Sequence, residues 1–138
     1  MLKPKELVAL AEQARAHSHC PYSGFAVGAA LLCSDGTVFT GCNIENAAFG
    51  PSICAERTAI FKAVSEGYRD FAALAVAGGT ADRPVEHECP PCGVCRQVLR
   101  EFCADDFPVY ISGGNGTYRM MRLSRLLPAS FRAEDQLI

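Results

Sequence analysis

Apolar residues recur at helical spacing from Pro4 onward, with Leu7, Leu10, Ala11 and Ala14 on one side and Lys5, Glu6, Glu12 and Arg15 outside. This predicts an amphipathic helix to about His19, ended by Pro21. From Phe25 to Leu32 the pattern changes to a short, nearly unbroken apolar run, which reads as a strand. Ser34-Asp35-Gly36-Thr37 is a hairpin turn of the Asp-Gly kind, and Thr37 to Ile44 returns as the second strand. Where that strand runs out, alternation puts Asn43 and Glu45 on one face and Ile44 on the other. A helix is expected from Cys54 to Gly67. Phe71 to Gly79 is again apolar throughout, as in a strand covered on both faces. After the polar loop Thr80 to Glu88, a second helix begins at Cys92, just behind Pro91, and runs to about Ala104. Strands at Pro108 to Ser112 and Thr117 to Leu123 flank the Gly113-Gly114-Asn115-Gly116 turn, and a last helix or turn starts at Ser124.

This order predicts an α/β fold, a three-layer sandwich with a mixed five-stranded sheet between helices. A length of 138 residues suits one domain over 1–138, large enough to bury a real core.

Charge narrows the partners. The net charge is −2 and no Lys/Arg run stands out, which argues against a nucleic-acid polymer, whose phosphates need a basic surface. A small neutral ligand fits better. No apolar run reaches the length of a membrane span, and the N-terminus leads directly into the first helix. The expectation is therefore no membrane, no signal peptide and a cytoplasmic location. In such a reducing compartment the eight cysteines point to metal binding or catalysis and not to a disulfide framework.

Three of them stand apart. Cys92 and Cys95 lie three apart at the start of one helix, so both sulfurs can reach one ion. Cys54 opens the other helix. Thiolates at helix N-termini gain from the macrodipole, which helps hold them deprotonated. A catalytic zinc keeps one of four positions for water, so Cys54, Cys92 and Cys95 supply the expected three protein ligands. Glu56, two residues from a ligand, can reach the open position, take a proton from zinc-bound water and hand it to a substrate nitrogen. That is the chemistry of hydrolytic deamination. Cys89 also makes a Cys-x-x-Cys with Cys92, but across Pro90-Pro91, which is not helical. A fourth thiol there would close the site into a structural zinc module. His17, His19 and Cys20 read as a solvated helix end, Cys20, Cys33, Cys42 and Cys103 as packing thiols. The glycine-rich turn is no phosphate loop, since no Lys-Ser/Thr follows it.

Asn43-Ile44-Glu45-Asn46-Ala47, Cys54-Ala55-Glu56-Arg57-Thr58-Ala59-Ile60 and Pro91-Cys92-Gly93-Val94-Cys95-Arg96-Gln97 closely resemble the small homotetrameric cytidine deaminases. The likeness extends from Pro21-Tyr22-Ser23-Gly24-Phe25 to Leu127-Pro128 and Phe131. It implies a cytidine deaminase-like fold, one Zn²⁺ per chain, a homotetramer, and conversion of cytidine and deoxycytidine to uridine and deoxyuridine with release of ammonia, in pyrimidine salvage. It also implies that Asn43 and Glu45 hold the ribose, that Phe25 stacks near the pyrimidine, and that Ala55 and Phe49 belong to the substrate site. Phe49 stands where many relatives carry tyrosine. Phe131 matches a phenylalanine that closes a neighbouring subunit's pocket. Arg57 matches an arginine that donates to the ligand sulfurs, offsetting the net negative charge of three thiolates on Zn²⁺. Arg96 is expected to be structural. The alternative substrate on the same frame is another aminopyrimidine nucleoside such as blasticidin S.

Overall fold

The computed structural model describes residues 1–133. Helix α1 (Pro4–Ala14) is followed by a 3-10 turn, Arg15–His17, then by strands β1 (Phe25–Cys33) and β2 (Val38–Cys42). Helix α2 (Ala55–Ser65), strand β3 (Phe71–Thr80), helix α3 (Gly93–Phe102), strands β4 (Pro108–Gly114) and β5 (Thr117–Arg122) and helix α4 (Leu123–Leu126) complete the order. The strands form one sheet, β2-β1-β3-β4-β5. Among the strands of the described residues only β3 and β4 pair in parallel, as expected where a helix supplies the crossover.

The pleat sorts the strand residues between two cores. Ala29, Leu31, Cys33, Leu74, Val76, Val109 and Ile111 pack with α2, α3 and α4. Ala30, Leu32, Ala73, Ala75 and Ala77 pack with Leu7, Val8 and Ala11 of α1. The α1 face is rich in alanine, so the helix sits close to the sheet. At Gly28 a β-carbon would overlap the Ala11 carbonyl; only glycine admits that approach. The mixed sheet between helical layers is the architecture expected.

Four details differ from the sequence reading. First, β2 stops at Cys42; beyond it Ile44 keeps only isolated bridges, to Ile53 and His19. Second, Arg15 does not point outward: its guanidinium donates to the carbonyls of Ala26 (2.9 Å), Thr80 (3.0 Å) and Arg83 (3.1 Å). Third, α2 and α3 start one residue late, with Cys54 and Cys92 in the N-cap position. Fourth, the glycine-rich turn is tighter: Gly114 pairs with Thr117, leaving Asn115 and Gly116 with φ of 54° and 74°, the two left-handed residues of a type I′ turn. The 80–88 loop turns away from the cysteines. Val85 is buried with its carbonyl against Gly114, and Glu88 pairs with Arg119 of β5 at 2.8 Å. Among the described residues no helix is long and apolar enough to cross a membrane.

Candidate active site

The N-termini of α2 and α3 bring Cys54, Cys92 and Cys95 together, all three sulfurs lying within 4.8 Å of one another. The Cys54 and Cys92 sulfurs are 3.7 Å apart, those of Cys92 and Cys95 3.5 Å. Tetrahedral zinc with sulfur ligands at about 2.3 Å needs sulfurs about 3.8 Å apart, so the donor set fits that ion. Among the described residues no fourth His, Cys, Asp or Glu joins the cluster. Cys89 stays outside it, which leaves the set open as a catalytic site requires and not closed as a structural one would be.

The cluster ionises readily at one sulfur. Hydrogen bonds from Cys95, from the Arg57 guanidinium and from Cys92 pull the Cys54 thiol down to about 5, while Cys95, bonded to Cys54 and buried, is pushed up and keeps its proton. Arg57 donates to the Cys54 sulfur at 3.3 Å. That contact sets positive charge beside the Cys54 sulfur. Arg96 is structural: it donates to the carbonyls of Pro91 (2.7 Å) and Leu126 (2.6 Å), tying the start of α3 to α4.

Glu56 is 3% exposed. Burial lifts its carboxyl to about 7, and the charge on Cys54 adds to the rise. A buried carboxyl of that acidity both accepts and returns a proton near neutrality; a cation on the thiolates would draw the value back down.

A cavity of about 340 Å³ opens in front of these residues, lined by Asn43, Glu45, Cys54, Ala55, Glu56, Arg57 and Cys92 together with Val27, Ser52, Ile53, Cys89 and Pro90. Its size lies at the small-molecule end of ligand pockets. Asn43 and Glu45 do share its wall, but both are also tied to the backbone. The Asn43 amide accepts from Val27 N–H (2.9 Å) and donates to Phe25 C=O (2.8 Å). Glu45 accepts from the Tyr22 and Ser23 N–H groups at 3.0 and 3.1 Å, and from the Ser23 hydroxyl.

The aromatic residues fall elsewhere in this chain. Phe25 lines an adjoining cavity with Gly78 and His87, Phe49 another with Tyr22 and Glu45, and Phe131 is exposed. The sequence reading missed Val27, Ser52, Ile53 and Pro90, and weighed Cys89 only as a fourth thiol on the metal. Val27 had a signal: it lies two residues beyond Phe25 on the same strand face.

Residues 1–111 match the family described as the cytidine and deoxycytidylate deaminase zinc-binding region. The chain belongs to that family. Among the deaminases it resembles, cytidine deaminase of Sporosarcina psychrophila is 50% identical over 131 residues, covering 95% of this chain and 93% of that protein. Cytidine deaminase of Halalkalibacterium halodurans is 53% identical over 129 residues, 94% of each chain. The solved cytidine deaminase of Burkholderia pseudomallei superposes with a TM-score of 0.85 at 42% identity, over 94% of this chain and all of that one. Zinc is thus the metal of the family, and this deaminase presents three thiols spaced for it.

Proposed function

We propose that this chain is a zinc-dependent cytidine deaminase, converting cytidine and deoxycytidine with water to uridine and deoxyuridine plus ammonia. One observation carries the reading: an open three-thiol cluster with a buried carboxyl, Glu56, on the wall of the same cavity. Cys54, Cys92 and Cys95 would hold the zinc, which would supply a Lewis acid able to make water acidic enough to give up a proton near neutral pH. Glu56 takes that proton and delivers it to N3 of the pyrimidine as oxygen adds at C4. The second proton passes through the same carboxyl to the exocyclic amine, which leaves as ammonia. Burial of Glu56 opposes the pull of a nearby cation on its carboxyl, and a carboxyl so placed can accept and return a proton.

Asn43 and Glu45 face the sugar, and Ala55, between Cys54 and Glu56, lies on the cavity wall where its backbone can meet the base. Arg57 tempers the charge of the thiolates. Phe25 approaches the base from the β1 end. Phe49, 81% exposed, and Phe131, 57% exposed, are apolar surface in need of cover. A second copy of the chain provides it in a homotetramer in which Phe131 closes a neighbour's pocket. A cytoplasmic role in pyrimidine salvage completes the reading. Turnover of free cytidine and deoxycytidine, compared with blasticidin S, tests the substrate. Efficient turnover of cytidine supports the reading, and turnover of blasticidin S alone would replace it.

A further inference from the structure

The Ser23 hydroxyl occupies a constrained position in the segment between α1 and β1. It accepts a hydrogen bond from the Phe25 N–H at 3.0 Å and sits against the second carboxylate oxygen of Glu45. A serine hydroxyl has one proton. Phe25 N–H approaches from the acceptor side, so that proton has one place to go, the Glu45 carboxylate. The other carboxylate oxygen is already held by the Tyr22 and Ser23 N–H groups. Three donors from two consecutive residues therefore fix the carboxylate in plane and rotation. They also keep it ionised: its pKa lies below the ordinary carboxyl value, with the Ser23 hydroxyl as the first cause.

We propose that Ser23 is a positioning residue for the sugar: its hydroxyl, oriented by Phe25 N–H, fixes the direction in which Glu45 presents its free lone pairs to the substrate's sugar hydroxyls. Ser23 itself is not among the residues lining the thiol cavity, so it acts through Glu45. The inference rests on the sugar-binding role proposed for Glu45. A carboxylate held by two N–H groups alone keeps its charge but gains rotational freedom, and a sugar hydroxyl then pays the ordering entropy on binding.

The test is kcat/KM of the zinc-loaded enzyme for deoxycytidine and for 2′,3′-dideoxycytidine, which lacks the 3′-hydroxyl, in Ser23→Ala, Ser23→Thr, Glu45→Ala and the Ser23→Ala/Glu45→Ala double variant. Ser23→Ala is expected to lower kcat/KM for deoxycytidine about tenfold, the scale of one hydrogen bond to a charged group, with little change for the dideoxynucleoside. Ser23→Thr, which keeps the hydroxyl, restores most of the loss. In the Glu45→Ala background Ser23→Ala adds nothing further. If Glu45→Ala discriminates between the two substrates but Ser23→Ala affects both equally, or neither, the inference is overturned while the role of Glu45 stands. If Glu45→Ala itself fails to discriminate, the sugar-binding reading falls and the inference with it. Should Ser23→Ala not fold, Ser23→Cys, close in size and a weak donor, must show the same substrate-selective loss; an unselective one overturns the inference.

Discussion

A cysteine in the N-cap position gives up the side-chain cap that Ser, Thr, Asp or Asn would provide, a sacrifice of about 0.5–2 kcal/mol per helix. Both α2 and α3 make it, with no side-chain cap bond at Cys54 or Cys92. The sulfurs are held for another purpose, and the exposed helix N–H groups favour their thiolate form. The residue proposed to carry the proton is Glu56, buried on the wall of the same cavity. Its replacement in Glu56→Gln keeps shape and zinc but removes the exchangeable proton, so turnover should fall by at least about 10²–10⁴-fold while zinc content and cytidine affinity persist. Turnover near that of the parent would remove Glu56 from the mechanism. At this scale the sequence was most informative where spacing carries chemistry: Cys92-x-x-Cys95 and Cys54-x-Glu56 converge as expected. It was silent on the backbone bonds of Asn43 and Glu45, because those depend on where residues 22–27 pass in space.

Elements place these residues through two close approaches of backbone. At Gly41 of β2 a β-carbon would lie 2.6 Å from the Ala59 nitrogen and overlap the Ala55 carbonyl, both in α2. Glycine there lets α2 rest on β2, and the Thr58 hydroxyl, 3.1 Å from the Cys42 carbonyl, ties the two elements. At Gly78 of β3 a β-carbon would meet Cys89 Sγ at 2.7 Å and Phe25 at 3.0 Å, so this glycine makes room for the wall of the cavity. Gly41→Ala must lift the start of α2, and with it Cys54 and Glu56. An overpacking cost of about 1–3 kcal/mol is expected, seen as a lower Tm, together with a loss of kcat. A variant with the parent's Tm and kcat would show that the helix has room to move. The strand and helix types were legible from apolar period, since β1 and β3 are unbroken apolar runs. Their small residues were legible only as composition; that Gly28 and Gly41 mark helix contacts requires the partner's position.

For the whole molecule, the strand order β2-β1-β3-β4-β5 sets β1 beside β3 and so brings Val27 and Cys89 to one cavity although they are far apart in sequence. Pattern predicts a mixed sheet but not that neighbour relation, which comes from tertiary pairing. The exposed aromatics Phe49 and Phe131 lead to a prediction at this scale. Dilution that dissociates the proposed tetramer should lower specific activity in step with its loss measured by sedimentation; a fully active monomer would contradict the proposed shared pocket. Cys54, Cys92 and Cys95 are proposed to hold a zinc whose chemistry Glu56 completes. The most direct test of this proposal follows cytidine absorbance and ammonia release in parallel with zinc content per chain, before and after chelation and again after zinc is returned. About one zinc per chain is expected, with turnover lost on chelation and restored by zinc. Tightly bound zinc with no turnover of cytidine or deoxycytidine, or turnover that survives complete removal of the metal, would contradict it.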